Sequence, residues 1–171
     1  MKKIVLCVMM GIAGWVSASE VPAFRIGGLT FDFVTNWTIS PQKRPMSAAT
    51  MVFKKDGKAV GPNADFYHFG AGQGGGVQAN LDRWKKQFQG SPTVKEEVRK
   101  VNDRAWHFIR IDGTFLKGRP FGPKTAVADQ RMLGAIVEDA GGTVFVKLVD
   151  AKGTVSDDVE KAFVKLVESA L

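Results

Sequence analysis

A single cysteine, Cys7, occurs among the 171 residues, and it falls inside the first long apolar run. Without it no thiol is left for an intramolecular disulfide, for cysteine-bound zinc or for thiol catalysis. Histidine is almost as scarce, with only His68 and His107. No close spacing joins them to a carboxylate, which excludes a readable metal motif. Neither has a nucleophile beside it, and no G-x-S-x-G elbow occurs. Long hydrophobic runs are missing after residue 16. Blocks of like charge are missing throughout, as is a basic–aromatic series, which argues against nucleic acid. Low-complexity segments and repeats are absent too.

The one apolar run, Ile4–Val16, follows Lys2 and Lys3 and leads into Val16-Ser17-Ala18. A run of about 13 residues is too short for the roughly 20 that span a bilayer. It has the layout of a secretory signal peptide, residues 1–18, cleaved after Ala18. Cys7 follows Leu6 directly, without the small residues and longer apolar lead of a lipoprotein signal. The expectation is an exported protein, periplasmic or extracellular, whose residues 19–171 form one domain. That domain carries 22 basic and 17 acidic residues, a net charge of +5. A moderately basic surface favours acidic partners.

Phe24–Val34 alternates Leu29, Phe31 and Phe33 with polar neighbours, a period-two strand pattern. Residues 36–46 hold two prolines and are predicted as a loop. Residues 47–55 form a second strand, 56–63 a turn, and 64–70 an aromatic third strand. In residues 77–90, Val77, Leu81, Trp84 and Phe88 recur at steps of four, three and four, one stripe of an amphipathic helix that Gly90 and Pro92 stop. Val94, Val98 and Val101 suit a helix by spacing. The Asn102-Asp103 turn and the strand-like 104–116 make a hairpin the better reading. Residues 117–125, KGRPFGPKT, are predicted as a basic loop. Residues 131–139 and 143–150 pair around Ala140-Gly141-Gly142. A last helix, 156–171, has Ser156 at its N-cap and Asp157, Asp158 and Glu160 at its positive end. Val159, Phe163, Leu166, Val167 and Ala170 supply its buried stripe. Three strands, a helix, four strands and a helix, joined by short turns, define an α+β fold: an antiparallel sheet of six to seven strands with helices packed on it.

Gly70, Gly72 and Gly75 spell G-x-G-x-x-G between the third strand and the first helix. A dinucleotide site needs a buried parallel strand before and after that turn. The following strand instead carries Lys95, Glu96, Glu97, Arg99 and Lys100 and is wet. These features argue against nucleotide binding, and no cofactor is expected. Two readings of the loop stay open. Gly70, Gly72, Gly74, Gly75 and Gly76 permit positive-φ turns and close approach of the chain to the helix. Alternatively, the free N–H groups at Gly76-Val77 receive an anion. The second candidate surface is the basic loop, where Lys117, Arg119 and Lys124 surround Phe121, with Lys43 and Arg44 on another loop. Trp37, Trp84 and Trp106 sit in patterns that favour core or loop packing over a sugar platform.

FDFVTNW, then a strand pair, the helix ANLDRWKKQF, the strands RMLGAIVE and TVFVKLV, and the terminal AFVKLVESAL together resemble the Mog1/PsbP-like superfamily. The likeness spans roughly 24–170. More closely, the chain looks like exported bacterial members of unknown function with a glycine-rich loop before the helix. The resemblance implies an α/β/α sandwich and a binding or accessory role, with no catalytic residue to carry over. The expected function is a non-enzymatic accessory protein that binds another cell-envelope protein through the glycine loop and the basic loop. The alternative is a binder of a small anion, glycan or lipid headgroup at the glycine loop and helix start.

Overall fold

The computed structural model describes residues 23–171 apart from Thr35, Lys43 and Pro120. The expected signal peptide, with Cys7, and the candidate Lys43 lie outside the described residues. Nine strands and two helices follow in the order β1 (Ala23–Ile26), β2 (Leu29–Asp32), β3 (Trp37–Ile39), β4 (Ala49–Lys55), β5 (Lys58–Gly70), α1 (Val77–Lys85), β6 (Phe88–Val101), β7 (Arg104–Gly118), β8 (Lys124–Asp139), β9 (Gly142–Ala151) and α2 (Asp157–Glu168). Seven strands form one antiparallel sheet in the order β3-β4-β5-β9-β8-β7-β6, and β1 and β2 form a separate hairpin. Among the described residues no helix is long and apolar enough to cross a membrane.

Strict alternation sends the central strands' side chains to two different cores. Trp106 and Phe108 of β7, Leu133, Ala135 and Val137 of β8, and Val144, Val146 and Leu148 of β9 face α2. The intervening Ile109, Ile111, Met132, Ile136 and Phe145 face Leu81 and Trp84 of α1. Both sheet faces are therefore covered, which is why these strands read as nearly continuous apolar runs. Gly134 lies beneath Trp84, and the indole ring occupies the space that a Cβ would take. On the other face, Val159, Phe163, Leu166 and Val167 of α2 bury the stripe predicted for them.

The hairpin β1–β2 completes the α2 side. Leu29 and Phe31 are wholly buried. Phe31 meets the rings of Phe66 and Trp106 edge-on at 5.2 and 6.2 Å. Thr30 and Leu171 exchange backbone hydrogen bonds at 3.1 and 2.8 Å, tying the C-terminus to β2. An ionic cluster fixes α2 to the sheet. Buried Arg131 donates to Asp112 at 2.8 and 3.1 Å and to the Val155 carbonyl at 3.0 Å, and Arg110 bridges Asp112 and Glu160 at 3.0 Å each.

Several boundaries differ from those expected. The strand predicted over 24–34 is a hairpin, because Gly27 takes a positive φ of 60° and reverses the chain. Residues 36–46 contain β3, whose Trp37 is buried and donates to the Ala162 carbonyl at 3.0 Å. The turn predicted over 56–63 is confined to Asp56-Gly57, and β5 starts at Lys58. The first helix ends at Lys85 rather than at residue 90, and Phe88 joins the same apolar core from β6. Gly90, with φ of 71°, and Pro92 sit where the β6–β7 register shifts. The basic loop shrinks to residues 119–123, since β7 and β8 pair out to Gly118 and Lys124.

Candidate functional site

The glycine loop has a structural explanation for most of its glycines. Gly72 and Gly75 take φ of 73° and 69°, conformations that side chains disfavour. A Cβ on Gly74 would stand 2.8 Å from Thr143. Gly70 pairs with Gly142 of β9, and Gly76 is the N-cap of α1. Asn80, buried in the first turn, donates to the carbonyls of Gly74, Gly75 and Gly76 at 2.9, 3.2 and 3.0 Å. Arg83 in turn holds the Asn80 side-chain oxygen. The loop is thus clamped from within by the helix that it precedes.

Past the other end of α1, the sheet face is left open. Along β9, Phe145, Lys147 and Val149 point to the α1 side, so Lys147 interrupts an apolar series. Asp65 and Tyr67 of β5 stand on the same face. A cavity of about 390 Å³ opens there, with Lys147, Asp65 and Tyr67 joined by Phe115, Gln130 and Asp150. Arg44, from the loop before β4, and Lys117, from the end of β7, complete its wall.

Asp65 is 5% exposed, accepts from the Thr50 hydroxyl at 2.8 Å and pairs with Arg44 at 3.1 Å. Burial raises its carboxyl above the ordinary value, with Thr50, Arg44 and Lys147 pulling the other way. The Tyr67 hydroxyl is pushed up by burial and then by the Asp65 charge. Lys147 is held down to about 8 by desolvation, partly opposed by Asp65. Its ammonium donates to Gln87 Oε1 at 2.5 Å and lies 5.9 and 5.7 Å from the Trp84 and Phe115 ring centres. Among the described residues no carboxylate stands within 4 Å of it. A desolvated cation with one neutral acceptor and two aromatic faces is suited to take up an anionic group.

A larger recess, about 480 Å³, lies on the opposite face between α2 and β6–β7. Most of its charges are already paired: Arg99 with Glu97 and Glu168 at 2.7 and 2.9 Å, Arg110 with Glu160 at 3.0 Å, and Glu96 with Lys85 at 2.7 Å. The smaller cavity is therefore the stronger candidate.

The fold brings together two of the basic segments singled out in the sequence, through Arg44 and Lys117. Arg119, Phe121 and Lys124 stay at the β7–β8 tip, where Phe121 is fully exposed and Lys124 reaches the Arg119 carbonyl. None of the five glycines from Gly70 to Gly76 lines the cavity. His68 hydrogen-bonds the Gly141 carbonyl at 3.2 Å beneath Gly27, and it too lies outside. Sequence reasoning missed Asp65, Tyr67, Gln130 and Lys147. A signal was present in Lys147, a lysine between valine and leucine in a stretch, 142–148, whose other residues are buried.

No protein-family model matches the chain, and no curated protein matches it. Among solved structures it is similar to cyanobacterial PsbP (CyanoP) from Synechocystis sp. PCC 6803, with a TM-score of 0.54 at 13% identity. The likeness covers 95% of this chain and 98% of that one, and gives this protein a PsbP-like fold.

Proposed function

We propose, with the PsbP-like fold as the starting point, that the chain is an exported, non-enzymatic accessory protein that docks on a cell-envelope partner and takes an acidic side chain of that partner into the Lys147 cavity. The observation that carries this reading is Lys147 itself, desolvated, bonded to Gln87 and without a carboxylate partner among the described residues. Arg44 and Lys117 add two more cations around it, against Asp65 and Asp150. The neighbouring β7–β8 tip, with exposed Phe121 among Arg119 and Lys124, offers an apolar contact with a basic rim. Aromatic and arginine side chains of this kind are enriched at protein interfaces. The role is binding rather than catalysis, since the cavity pairs its one buried carboxylate with Arg44 and Thr50, and neither histidine lines it.

Titration with a short Asp- and Glu-rich peptide, followed by amide and lysine-ammonium NMR, tests the reading. Resonances of Tyr67, Lys117, Gln130 and Lys147 are expected to move together, and Lys147→Met to abolish the response. Shifts centred on residues 70–78 would instead favour the glycine loop as the binding element. A protein silent to the peptide at low salt would overturn the proposal.

A further inference from the structure

β6 ends the seven-stranded sheet, with β7 on one side and, among the described residues, no strand on the other. Its outer edge spans the charged stretch Lys95-Glu96-Glu97-Val98-Arg99-Lys100. Charges on an edge strand ordinarily discourage pairing with an arbitrary strand. Here their order is self-complementary: read outward from Val98, glutamates at 97 and 96 on one side mirror Arg99 and Lys100 on the other. Val98 itself is 61% exposed, a large apolar residue at the centre of the pattern.

The backbone agrees with the side chains. Asn102 and Asp103 form a two-residue turn with φ of 46° and 64°, the type I′ geometry, and Val101 stands opposite Arg104. In such a hairpin the residues flanking the turn exchange both hydrogen bonds, so Arg99, Glu97 and Lys95 direct theirs to β7. Lys100, Val98 and Glu96 therefore point their N–H and C=O groups to the open edge.

We infer that β6 pairs antiparallel with β6 of a second copy of this chain, in the register that sets Val98 opposite Val98 of the second copy. A two-fold axis normal to the sheet places residues of one face opposite residues of the same face. In this register Glu96 meets Lys100 across the axis on the α1 face, and Glu97 meets Arg99 on the α2 face, each twice. The outward-pointing residues 96, 98 and 100 all fall in hydrogen-bonded pairs. Centring on Glu97 would oppose two glutamates and set Lys95 against Arg99, and centring on Arg99 would oppose two arginines. Only the Val98 register satisfies both backbone and charge. The pairing joins two seven-stranded sheets into one and leaves the Lys147 cavity untouched.

In the single chain these charges hold nearby partners: Glu96 with Lys85 at 2.7 Å, Arg99 with Glu97 and Glu168 at 2.7 and 2.9 Å, and Lys100 with Asp103 at 2.9 Å. All are solvent-accessible, so exchanging them across the axis costs little.

Sedimentation equilibrium of the purified protein, from low micromolar to millimolar concentration, tests the inference. A reversible monomer–dimer equilibrium is expected. Val98→Pro removes a donor that β7 does not use, which an edge position tolerates. Glu96→Lys turns two attractive cross-strand pairs into repulsive ones. Each variant should keep its circular dichroism and weaken association by roughly tenfold or more. The double variant Glu96→Lys/Lys100→Glu should restore it. A monomer at every concentration, a dimer indifferent to both single changes, or a double variant no better than Glu96→Lys would each overturn the inference.

Discussion

At the scale of the residue, Lys147 shows how one misplaced polarity marks a site. Its alkyl stem packs along the sheet while the ammonium is held among Gln87, Trp84 and Phe115. Its folded value of about 8 lies below the ordinary 10.5 of a free lysine. The unfolded chain therefore binds more protons between those two values, and stability rises with pH across that window. Below pH 8 the buried charge costs the fold about 1–2 kcal/mol, less than the full shift because the side chain is only half-buried. Lys147→Met is expected to raise stability at pH 7 by about that amount and to flatten the slope between pH 8 and 10.5, as read from denaturant midpoints across pH. An acidic ligand should act in the opposite sense to the burial, raising the lysine's value and drawing a proton from solution at pH 8–9. Stability and binding thus diverge at this residue, which separates a binding lysine from a merely structural one.

At the scale of the element, α1 is a short helix that depends on its surroundings. It spans nine residues, too few to persist alone in water. Its N-terminus carries no acidic residue in the first turn and no side-chain cap from Gly76. What replaces the cap is Asn80, which gathers three loop carbonyls from inside the helix. Asn80→Ala strips those carbonyls of a donor in a buried setting and is expected to cost about 2–3 kcal/mol. Hydrogen exchange should register the loss first at residues 72–82, before any loosening of β8 and β9. The same accounting explains why the helix stops at Lys85: Gln87 donates to the Trp84 carbonyl at 3.1 Å, and Leu116 of β7 donates to the Gln87 carbonyl at 2.8 Å, drawing the chain into β6. Periodicity continued through Phe88 because that residue feeds the same core from a strand.

At the scale of the whole molecule, α1 covers part of one sheet face and leaves the Lys147 cavity open beside it, while α2 and the β1–β2 hairpin cover the other face. That hairpin contributes Phe24 and Phe31 to the aromatic junction with Phe66 and Trp106, in which the first and middle thirds of the chain meet. Phe31→Ala removes a fully buried ring from this junction and should cost about 3–5 kcal/mol, lowering the thermal midpoint in a calorimetric scan. Trp106 is the sensitive reporter. It is wholly buried and its indole N–H has no hydrogen-bond partner among the described residues, so its fluorescence should shift to the red as the hairpin lifts.

The α+β class, both helices, the hairpins around Asn102-Asp103 and Ala140-Gly142, and the buried stripe of α2 were legible in the sequence, because each rests on local periodicity or turn chemistry. Rejection of a dinucleotide fold at Gly70–Gly75 was equally local, since the wet strand that follows cannot lie in the middle of a parallel sheet. The roles of the individual glycines were not legible: Gly74 answers to Thr143 and Gly134 to Trp84, contacts far apart along the chain. Nor was the cavity, whose charged groups come from positions 44, 65, 117, 147 and 150. A strand's alternation tells that Lys147 faces one side of a sheet. Only the length of α1 and the order of the strands decide that this side is left open beside it, because desolvation and charge pairing depend on neighbours in space rather than in sequence.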